Sequence, residues 1–148
     1  MKKRYYWKKE DKQGLSEAQS FEDLLRIALR IAERMHKDKG LLAIVCGPIS
    51  TGGVGTIRGN LKVFRDWISK LLRCGVPVFS QMSFEAAMHR IKAMPGNSEE
   101  TLLERFYLPL FRSGYIRDFY FIPGWRTSFG ATWEHAQAEE LRLTIHYF

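Results

Sequence analysis

Apolar residues along the chain fall into two alternating patterns. Short continuous runs, each predicted to form a strand, occur at 41–46, 76–80, 119–122 and 144–148. Apolar residues spaced by three or four, each set predicted to form one face of a helix, occur at 20–39, 61–71, 84–91, 98–110 and 128–141. This alternation of strands and helices predicts an α/β three-layer sandwich around a mainly parallel sheet.

Capping residues, glycines and prolines set the ends of several elements. Ser20 begins the first helix with a capping-box-like sequence, and Gly40 stops it. Pro77 lies near the start of the second strand, where a missing N–H is tolerated. Pro109 should kink or end the helix that contains it, because proline cannot continue the hydrogen-bond pattern.

A long glycine-rich loop, residues 47–60, follows the first strand and leads into a helix. Glycines let backbone N–H groups approach an anion, and a helix N-terminus adds positive partial charge. Arg58 is suited to hold a phosphate with two hydrogen bonds. The loop matches neither a Walker loop nor the Gly-x-Gly-x-x-Gly dinucleotide fingerprint. The alternative is a mobile surface loop without a ligand.

The third strand leads into a second candidate site. Pro123 and Gly124 end the strand, and Thr127 and Ser128 are natural N-caps for the following helix. Ligands of open α/β sheets bind at such junctions, outside the carboxyl ends of the strands. We therefore expect this junction and the glycine-rich loop to open on the same edge of the sheet.

Glu134 is the candidate catalytic residue within this junction. It falls on the apolar stripe formed by Ala131, Ala138 and Leu141, and no basic residue lies three or four positions away. A carboxylate on an inward face without a local partner is costly to bury, which marks a functional site. The alternative is a residue at the edge of the stripe that reaches water, or an ion pair with a distant arginine.

Composition limits the class of protein. The chain has 148 residues, 45% hydrophobic and 26% charged, which predicts one soluble globular domain. No apolar run is long enough to span a membrane, and the N-terminus lacks the apolar core of a signal peptide. The two cysteines, Cys46 and Cys74, predict a reducing, cytoplasmic setting. The four histidines lack the spacing of metal ligands, so no metal is expected.

The net charge of +7 predicts an affinity for anions, and part of it lies in a basic aromatic arm. The arm places Tyr5, Tyr6 and Trp7 among five cations, Lys2, Lys3, Arg4, Lys8 and Lys9. One interpretation is a nucleic-acid contact in which cations bind phosphate and rings stack on bases. We favour a loosely packed terminus, because no recognised nucleic-acid motif accompanies the arm.

Three sequence motifs carry a family resemblance. Residues 123–138 read Pro-Gly-Trp-x-x-Ser-x-Gly-Ala-x-x-Glu-x-x-x-Ala, which resembles the signature of the nucleoside 2-deoxyribosyltransferase family. Residues 46–49, with Asn60 and Phe64 further on, resemble the opening pattern of that family. Residues 56–60 resemble a loop of the related 2′-deoxynucleoside 5′-monophosphate N-hydrolases. The resemblance covers residues 41–141 and excludes the N-terminal segment.

This resemblance implies a flavodoxin-like fold and an activity at the N-glycosidic bond of 2′-deoxynucleosides or their 5′-monophosphates. It implies that Glu134 is the catalytic carboxylate, and that a second carboxylate lies on a preceding helix, where Glu100 and Glu104 are the candidates. Asp118 matches a further family position but is expected at the opposite end of its strand. The substrate-binding residues implied by the motifs are Gly47, Pro48, Ile49, Arg58, Gly59, Asn60, Gly124, Trp125, Ser128 and Gly130.

The same resemblance implies that no cofactor is needed and that the protein is a homo-oligomer acting on a small nucleoside or nucleotide. A phosphate is expected beside Ser128, with Arg58 as its second contact. The division of the chain expected from these arguments is an arm and helix at 1–40 and the α/β domain at 41–148. Two other functions stay open: a non-catalytic nucleotide-binding or sensing module of this fold, and a nucleic-acid-associated protein.

Overall fold

The computed structural model describes residues 6–148, which form an α/β fold around an open three-stranded sheet. The strands are β1 (Leu42–Cys46), β2 (Ile116–Phe121) and β3 (Thr144–Tyr147). The α-helices are α1 (Lys9–Glu17), α2 (Phe21–Lys39), α3 (Ile57–Arg73), α4 (Glu85–Lys92), α5 (Glu99–Leu102), α6 (Leu108–Arg112) and α7 (Phe129–Glu140). A π-helical turn, Leu103–Tyr107, joins α5 to α6, and short 3₁₀ turns span Gln81–Phe84 and Trp125–Thr127.

The sheet is parallel in the order β1-β2-β3. Cys46 pairs with Phe121, and Phe121 pairs with Tyr147, so the carboxyl ends of all three strands lie at one edge. The final strand predicted at 144–148 is confirmed as β3. The two candidate loops also meet at this edge, because the Gly53 N–H donates to Thr127 Oγ1 at 2.9 Å. The expectation that both loops open on the same edge is confirmed.

The predicted strand at 76–80 is wrong as a full strand. It forms a single parallel bridge between Val78 and Ala43, beside the outer edge of β1. The stretch is limited at both ends by other hydrogen bonds. The Val76 N–H donates to the carbonyl of Leu71 at the end of α3, and Ser80 caps the 3₁₀ turn that follows. Too few residues are left in extended conformation to make a longer ladder.

Strand β1 is buried on both faces, as its continuous apolar sequence predicts. Leu42, Ile44 and Cys46 belong to a large core cluster that includes residues of α2, α4, α7 and the segment between α5 and α6. Ala43 and Val45 belong to a smaller cluster with the apolar face of α3. The alternation follows from the period of two along a strand.

The N-terminal segment is packed more closely than the sequence predicts. The sequence reading gave no helix before Ser20, yet α1 is present and its Asp11 is fully buried between Arg30 and Arg34 of α2. The Trp7 ring lies tilted against Phe84, with the ring centroids 5.2 Å apart, and packs against the main core. The interpretation of a loosely packed terminus is therefore wrong for this part of the arm. Residues 2–5 lie outside the described part of the chain.

The helix that contains Pro109 does not end there. The chain stays helical from Glu99 to Arg112, but the pattern switches to a π turn at 103–107 before α6 begins. The Leu108 N–H donates to the Leu103 carbonyl, five residues back. Pro109 then falls in the first turn of α6, where its missing N–H is tolerated.

Asn60 fixes the glycine-rich loop onto the start of α3. Its side chain is buried, accepts from the Val54 N–H at 3.0 Å, and donates to the carbonyls of Ile49 at 3.0 Å and Gly52 at 3.2 Å. A second tie runs to α7, whose Phe129 N–H donates to Thr51 Oγ1 at 3.2 Å. The loop is therefore held by side chains at both of its flanks.

The surroundings of Gly52 show how closely the two loops approach each other. It has φ +68°, and a Cβ there would lie 2.3 Å from the backbone oxygen of Thr127. Gly55 has φ +92° but, among the described residues, no atom within 4 Å of such a Cβ. We expect Gly55→Ala to cost about 1–2 kcal/mol from backbone strain alone. Gly52→Ala should cost about 1–3 kcal/mol more, because backbone must also move.

The measurement is chemical denaturation of both variants beside the wild-type protein. Equal losses of unfolding free energy for Gly52→Ala and Gly55→Ala would contradict the close approach of the loops.

Candidate active site

A cavity of about 450 Å³ opens at the carboxyl edge of the sheet. It lies between the glycine-rich loop, the start of α7, and helices α4 and α5. Its volume is within the range that holds small-molecule ligands. The apolar part of its wall consists of Ile49, Ile57, Leu61, Met82, Met88, Leu102 and Leu103.

Glu134 lines this cavity from α7. Ser128 caps the helix by accepting from the Ala131 N–H at 3.1 Å, which sets the phase of the helix that follows. That phase buries Ala131, Glu134 and Ala138 together, as the apolar stripe predicts. Glu134 is only 6% exposed, and within residues 6–148 its Oε2 atom has no hydrogen-bond partner. The stripe-edge alternative, in which the carboxylate reaches water, does not describe this side chain.

The protonation of Glu134 follows from this burial. Desolvation raises the pKa of its carboxyl to about 8. A hydrogen bond with the Cys46 thiol lowers the pKa, while the negative charges of Glu99 and then Glu85 raise it. Burial therefore favours the protonated form of Glu134 at neutral pH.

Glu85 and Glu99 are the other carboxylates that line the cavity. Neither was predicted from the sequence as a site residue. Burial raises the pKa of Glu85 to about 7, with Lys92 lowering it and Glu99 raising it. Glu99 forms an ion pair with Lys92 at 2.8 Å. The predicted second carboxylates were wrong in position, because Glu100 and Glu104 are exposed and face away from the cavity. The apolar spacing at 98–110 carried a signal for Glu99, which lies three residues before Leu102 and four before Leu103 on the inward stripe, whereas Glu100 lies off it.

Gln81 is a further cavity residue that the sequence did not reveal. It is buried in the 3₁₀ turn before α4, and its Nε2 donates to the Val45 carbonyl at 2.7 Å. Within the described part of the chain its Oε1 atom has no partner. Gln81 Oε1 and Glu134 Oε2 are thus two buried acceptors in one cavity. Buried polar atoms normally have partners, so a ligand with hydrogen-bond donors would satisfy this pair.

Among residues 6–148, the lysine and arginine side chains that line the cavity are Arg65 of α3 and Lys92 of α4. The sequence predicted Arg58, and not Arg65, as the cation that binds a phosphate. Arg58 and Arg65 are seven residues apart on the same helix, so they share a face. Only Arg65 borders the cavity, whereas Arg58 lies on the outer surface beside Gly59 and Lys62.

The structure brings together five of the predicted site residues, because Gly47, Ile49, Ser128, Gly130 and Glu134 all line the cavity. Gly47 is also required by packing, since a Cβ there would lie 2.7 Å from the Ile122 side chain. The expectation of one phosphate held by Ser128 and Arg58 together does not fit this arrangement.

The other predicted residues lie outside the cavity. Asn60 serves the loop through its hydrogen bonds, and Trp125 is buried in a stack with His135 at 4.2 Å. Asp118 is bonded to His146 at 2.9 Å, away from the cavity. The remaining residues outside it are Pro48, Arg58, Gly59 and Gly124. The motif therefore contains residues that build the loops as well as residues that face a ligand.

Comparisons of the chain with protein-family models, with curated proteins and with solved structures find no match. The residues and geometry of the site are therefore the basis for its function. Among residues 6–148 no group of three or more His, Cys, Asp and Glu side chains is arranged to hold a metal ion. In the same part of the chain no helix combines the length and apolar character needed to cross a membrane.

The charge of Glu99 can be tested against that of its neighbour Glu100. Glu99→Gln removes a negative charge that raises the pKa of Glu134, and it frees Lys92 from its ion pair. We therefore expect the Glu134 titration to move to lower pH. Glu100→Gln makes the same chemical change at an exposed position and should leave the titration in place. Carbon-13 NMR of the labelled Glu134 carboxyl measures both, and equal shifts would contradict the arrangement.

The stability of the fold should depend on pH through Glu134. Its folded pKa of about 8 lies above the ordinary value of 4.5, so folding favours the protonated form. This stabilisation is complete below pH 4.5 and is lost as the pH rises through about 8. Glu134→Gln cannot ionise, so its melting temperature should gain on that of the wild type between pH 5 and pH 9. A constant difference across this range would show that the carboxylate is not desolvated.

Proposed function

We propose that this protein cleaves or transfers at the N-glycosidic bond of 2′-deoxynucleosides or their 5′-monophosphates, with Glu134 as the catalytic carboxylate. The observation that carries the proposal is the buried Glu134 carboxyl in a cavity at the carboxyl edge of a parallel sheet, with one oxygen that has no hydrogen-bond partner among residues 6–148. The motif at 123–138 supports the same activity. A cavity of about 450 Å³ has room for a nucleoside-sized ligand.

The chemistry requires a negative charge beside the anomeric carbon. As the bond to the base breaks, its electron pair leaves with the base and the sugar becomes oxocarbenium-like. The ionised Glu134 stabilises this centre or bonds to the carbon, giving a glycosyl-enzyme intermediate. Water then releases the sugar in a hydrolase, and a second base accepts it in a transferase. The apolar wall strengthens the electrostatic term by excluding water.

The departing base must gain a proton, and Glu85 is suited to supply it. Its carboxyl lines the same cavity, and its pKa of about 7 leaves a large protonated fraction at neutral pH. The mechanism needs Glu134 ionised and Glu85 protonated, which reverses the order of their pKa values in the unliganded protein, so ligand binding has to shift the proton. Donors on the sugar that bond to Glu134 would favour its ionised state in the complex.

The proposed setting follows the same interpretation. We assign the fold to the flavodoxin-like three-layer class, because a single parallel bridge at Val78 extends the pairing beyond β1 and core clusters lie on both faces of β1. The free thiols of Cys46 and Cys74 fit a cytoplasmic location. The partners are a small nucleoside or nucleotide and further copies of the chain. Exposed Val54 and Phe129 are apolar residues that an oligomer would cover.

A second candidate function is a nucleotide-binding or sensing module without turnover. The observation that favours it is the pKa of about 8 for Glu134, which keeps the carboxyl neutral at pH 7 in the unliganded protein. A neutral carboxyl donates a hydrogen bond to a ligand but does not stabilise a positive centre. Binding without release of base would support this function.

Glu134→Gln is the direct test of the enzyme. The substitution keeps the shape of the side chain and removes the charge, so base release should fall about 10²–10⁴-fold. Glu140→Gln is the matched control, because it makes the same change at an exposed position of the same helix. Chromatography of the bases released from a panel of deoxynucleosides and their monophosphates measures the activity. Thermal melting of the same samples shows that both variants are folded.

Three outcomes separate the candidates. Loss of base release in Glu134→Gln alone supports the proposed enzyme. Unchanged release in Glu134→Gln contradicts the catalytic role of this residue. If the wild-type protein releases no base from any substrate but binds a monophosphate saturably, the protein is the binding module and not the proposed enzyme.

A further inference from the structure

Helix α3 carries an unusual concentration of positive charge. Between Ile57 and Arg73 it contains five of the 23 lysines and arginines of the chain and only one of its 16 acidic residues. The one acid, Asp66, forms an ion pair with Lys62 at 2.8 Å. Within residues 6–148 no carboxylate forms an ion pair with Arg58, Arg65 or Arg73. Apart from Lys62, the cations of this helix are therefore not neutralised by ion pairs with described residues.

Four of these cations lie on one face of the helix. Arg58, Lys62, Arg65 and Arg73 are spaced by four, three and eight residues, which keeps them within one narrow stripe. Exposed Ser69 lies on the same line between the last two. All four cations are exposed, while Phe64, Ile68 and Leu71 on the opposite face are buried. At 1.5 Å per residue the basic stripe is about 22 Å long.

The basic stripe passes the mouth of the cavity at Arg65. Arg58, Lys62 and Arg65 line a shallow surface groove together with Thr56 and Gly59. Arg65 also lines the cavity that contains Glu134. The groove and the cavity thus meet at one side chain, so a ligand in the cavity can continue along α3. A free mononucleotide has one phosphate and would leave most of this stripe unused.

We propose that the basic stripe of α3 binds the phosphate backbone of single-stranded DNA, so that a nucleotide of the strand enters the cavity at Arg65. The inference rests on the proposed function and extends its substrate class from free deoxynucleotides to deoxynucleotides within or at the end of a strand. Successive exposed cations match the regular negative charge of a phosphodiester backbone. A single strand fits because a base held in a duplex cannot reach an enclosed site without being extruded.

The first test is the salt dependence of binding, measured by fluorescence anisotropy with a labelled oligothymidylate of about 12 nucleotides. Each cation that contacts a phosphate of a single strand adds about 0.7 to the slope of log affinity against log salt. If all four cations contact phosphates, the slope of log affinity against log salt is about −3. A slope near zero for the wild-type protein would overturn the proposal without any variant.

The second test is the double variant Lys62→Ala/Arg73→Ala, which leaves Arg58 and Arg65 beside the cavity intact. Its slope should be shallower by about 1.4, and its affinity in 0.1 M salt should be weaker by about tenfold or more. The matched control is Arg105→Ala/Arg112→Ala, which removes the same charge from exposed positions at 103–112, away from α3. Equal weakening of the two double variants would show that only net charge matters, and would overturn the assignment to α3.

Activity gives a readout that distinguishes this inference from the proposed function. Lys62→Ala/Arg73→Ala should lower kcat/KM on the oligonucleotide by about tenfold and leave kcat/KM on a mononucleotide unchanged. Base release from mononucleotides with no stripe-dependent strand binding overturns this inference and leaves the proposed function standing. Stripe-dependent strand binding without base release from any substrate supports the surface and overturns the proposed function. If the protein binds anionic phospholipid vesicles through the basic stripe but does not bind the oligonucleotide, α3 is a membrane-binding surface and the proposal is overturned.

Discussion

The burial of the Glu134 carboxyl is the constraint on which the rest of the site depends. A desolvated carboxylate is destabilising, so the protein holds it mostly protonated and surrounds it with groups that set its pKa. The Cys46 thiol lowers that pKa, while Glu85 and Glu99 raise it. Lys92 is shared between the latter two, through an ion pair with Glu99 and an electrostatic effect on Glu85. Burying the Glu134 carboxyl lowers the stability of the fold where the group ionises, as is common at functional sites.

The position of Glu134 depends in turn on how two loops are joined at the carboxyl edge of the sheet. Asn60 folds the first loop onto α3, and Thr127 and Thr51 hold it against the start of α7. Because Ser128 caps α7 at this junction, the position of the loop and the phase of the helix are coupled. The parallel sheet makes this possible, since β1 and β2 end side by side.

The sequence predicted those features that rest on local periodicity and capping, such as the parallel strand β1, the Ser128 cap and the inward face of Glu134. It did not predict features set by contacts between distant segments. Glu85 and Glu99 line the cavity because α4 and α5 lie across it from α7. Glu85 lies beside the apolar face of α4 and Glu99 lies on the apolar stripe of 98–110, but nothing local shows that either position borders a cavity. Arg58 was predicted from its place after the glycine-rich loop and from the family resemblance, whereas nothing local singles out Arg65, which borders the cavity two turns further along α3. The run at 76–80 looks like a strand, but bonds at both of its ends stop the ladder after one bridge.

The charges in and around the cavity limit what can bind there. A phosphate placed beside Glu134 without a cation would raise the pKa of that carboxyl further and suppress the ionised form that the proposed chemistry requires. Of the lysine and arginine side chains that line the cavity among the described residues, Lys92 is already paired with Glu99, which leaves Arg65 as the cation able to pair with a phosphate of the proposed ligand. Arg65 also belongs to the exposed face of α3. The side chain that makes an anionic ligand compatible with an ionised Glu134 is therefore the one that joins the cavity to the basic surface outside it.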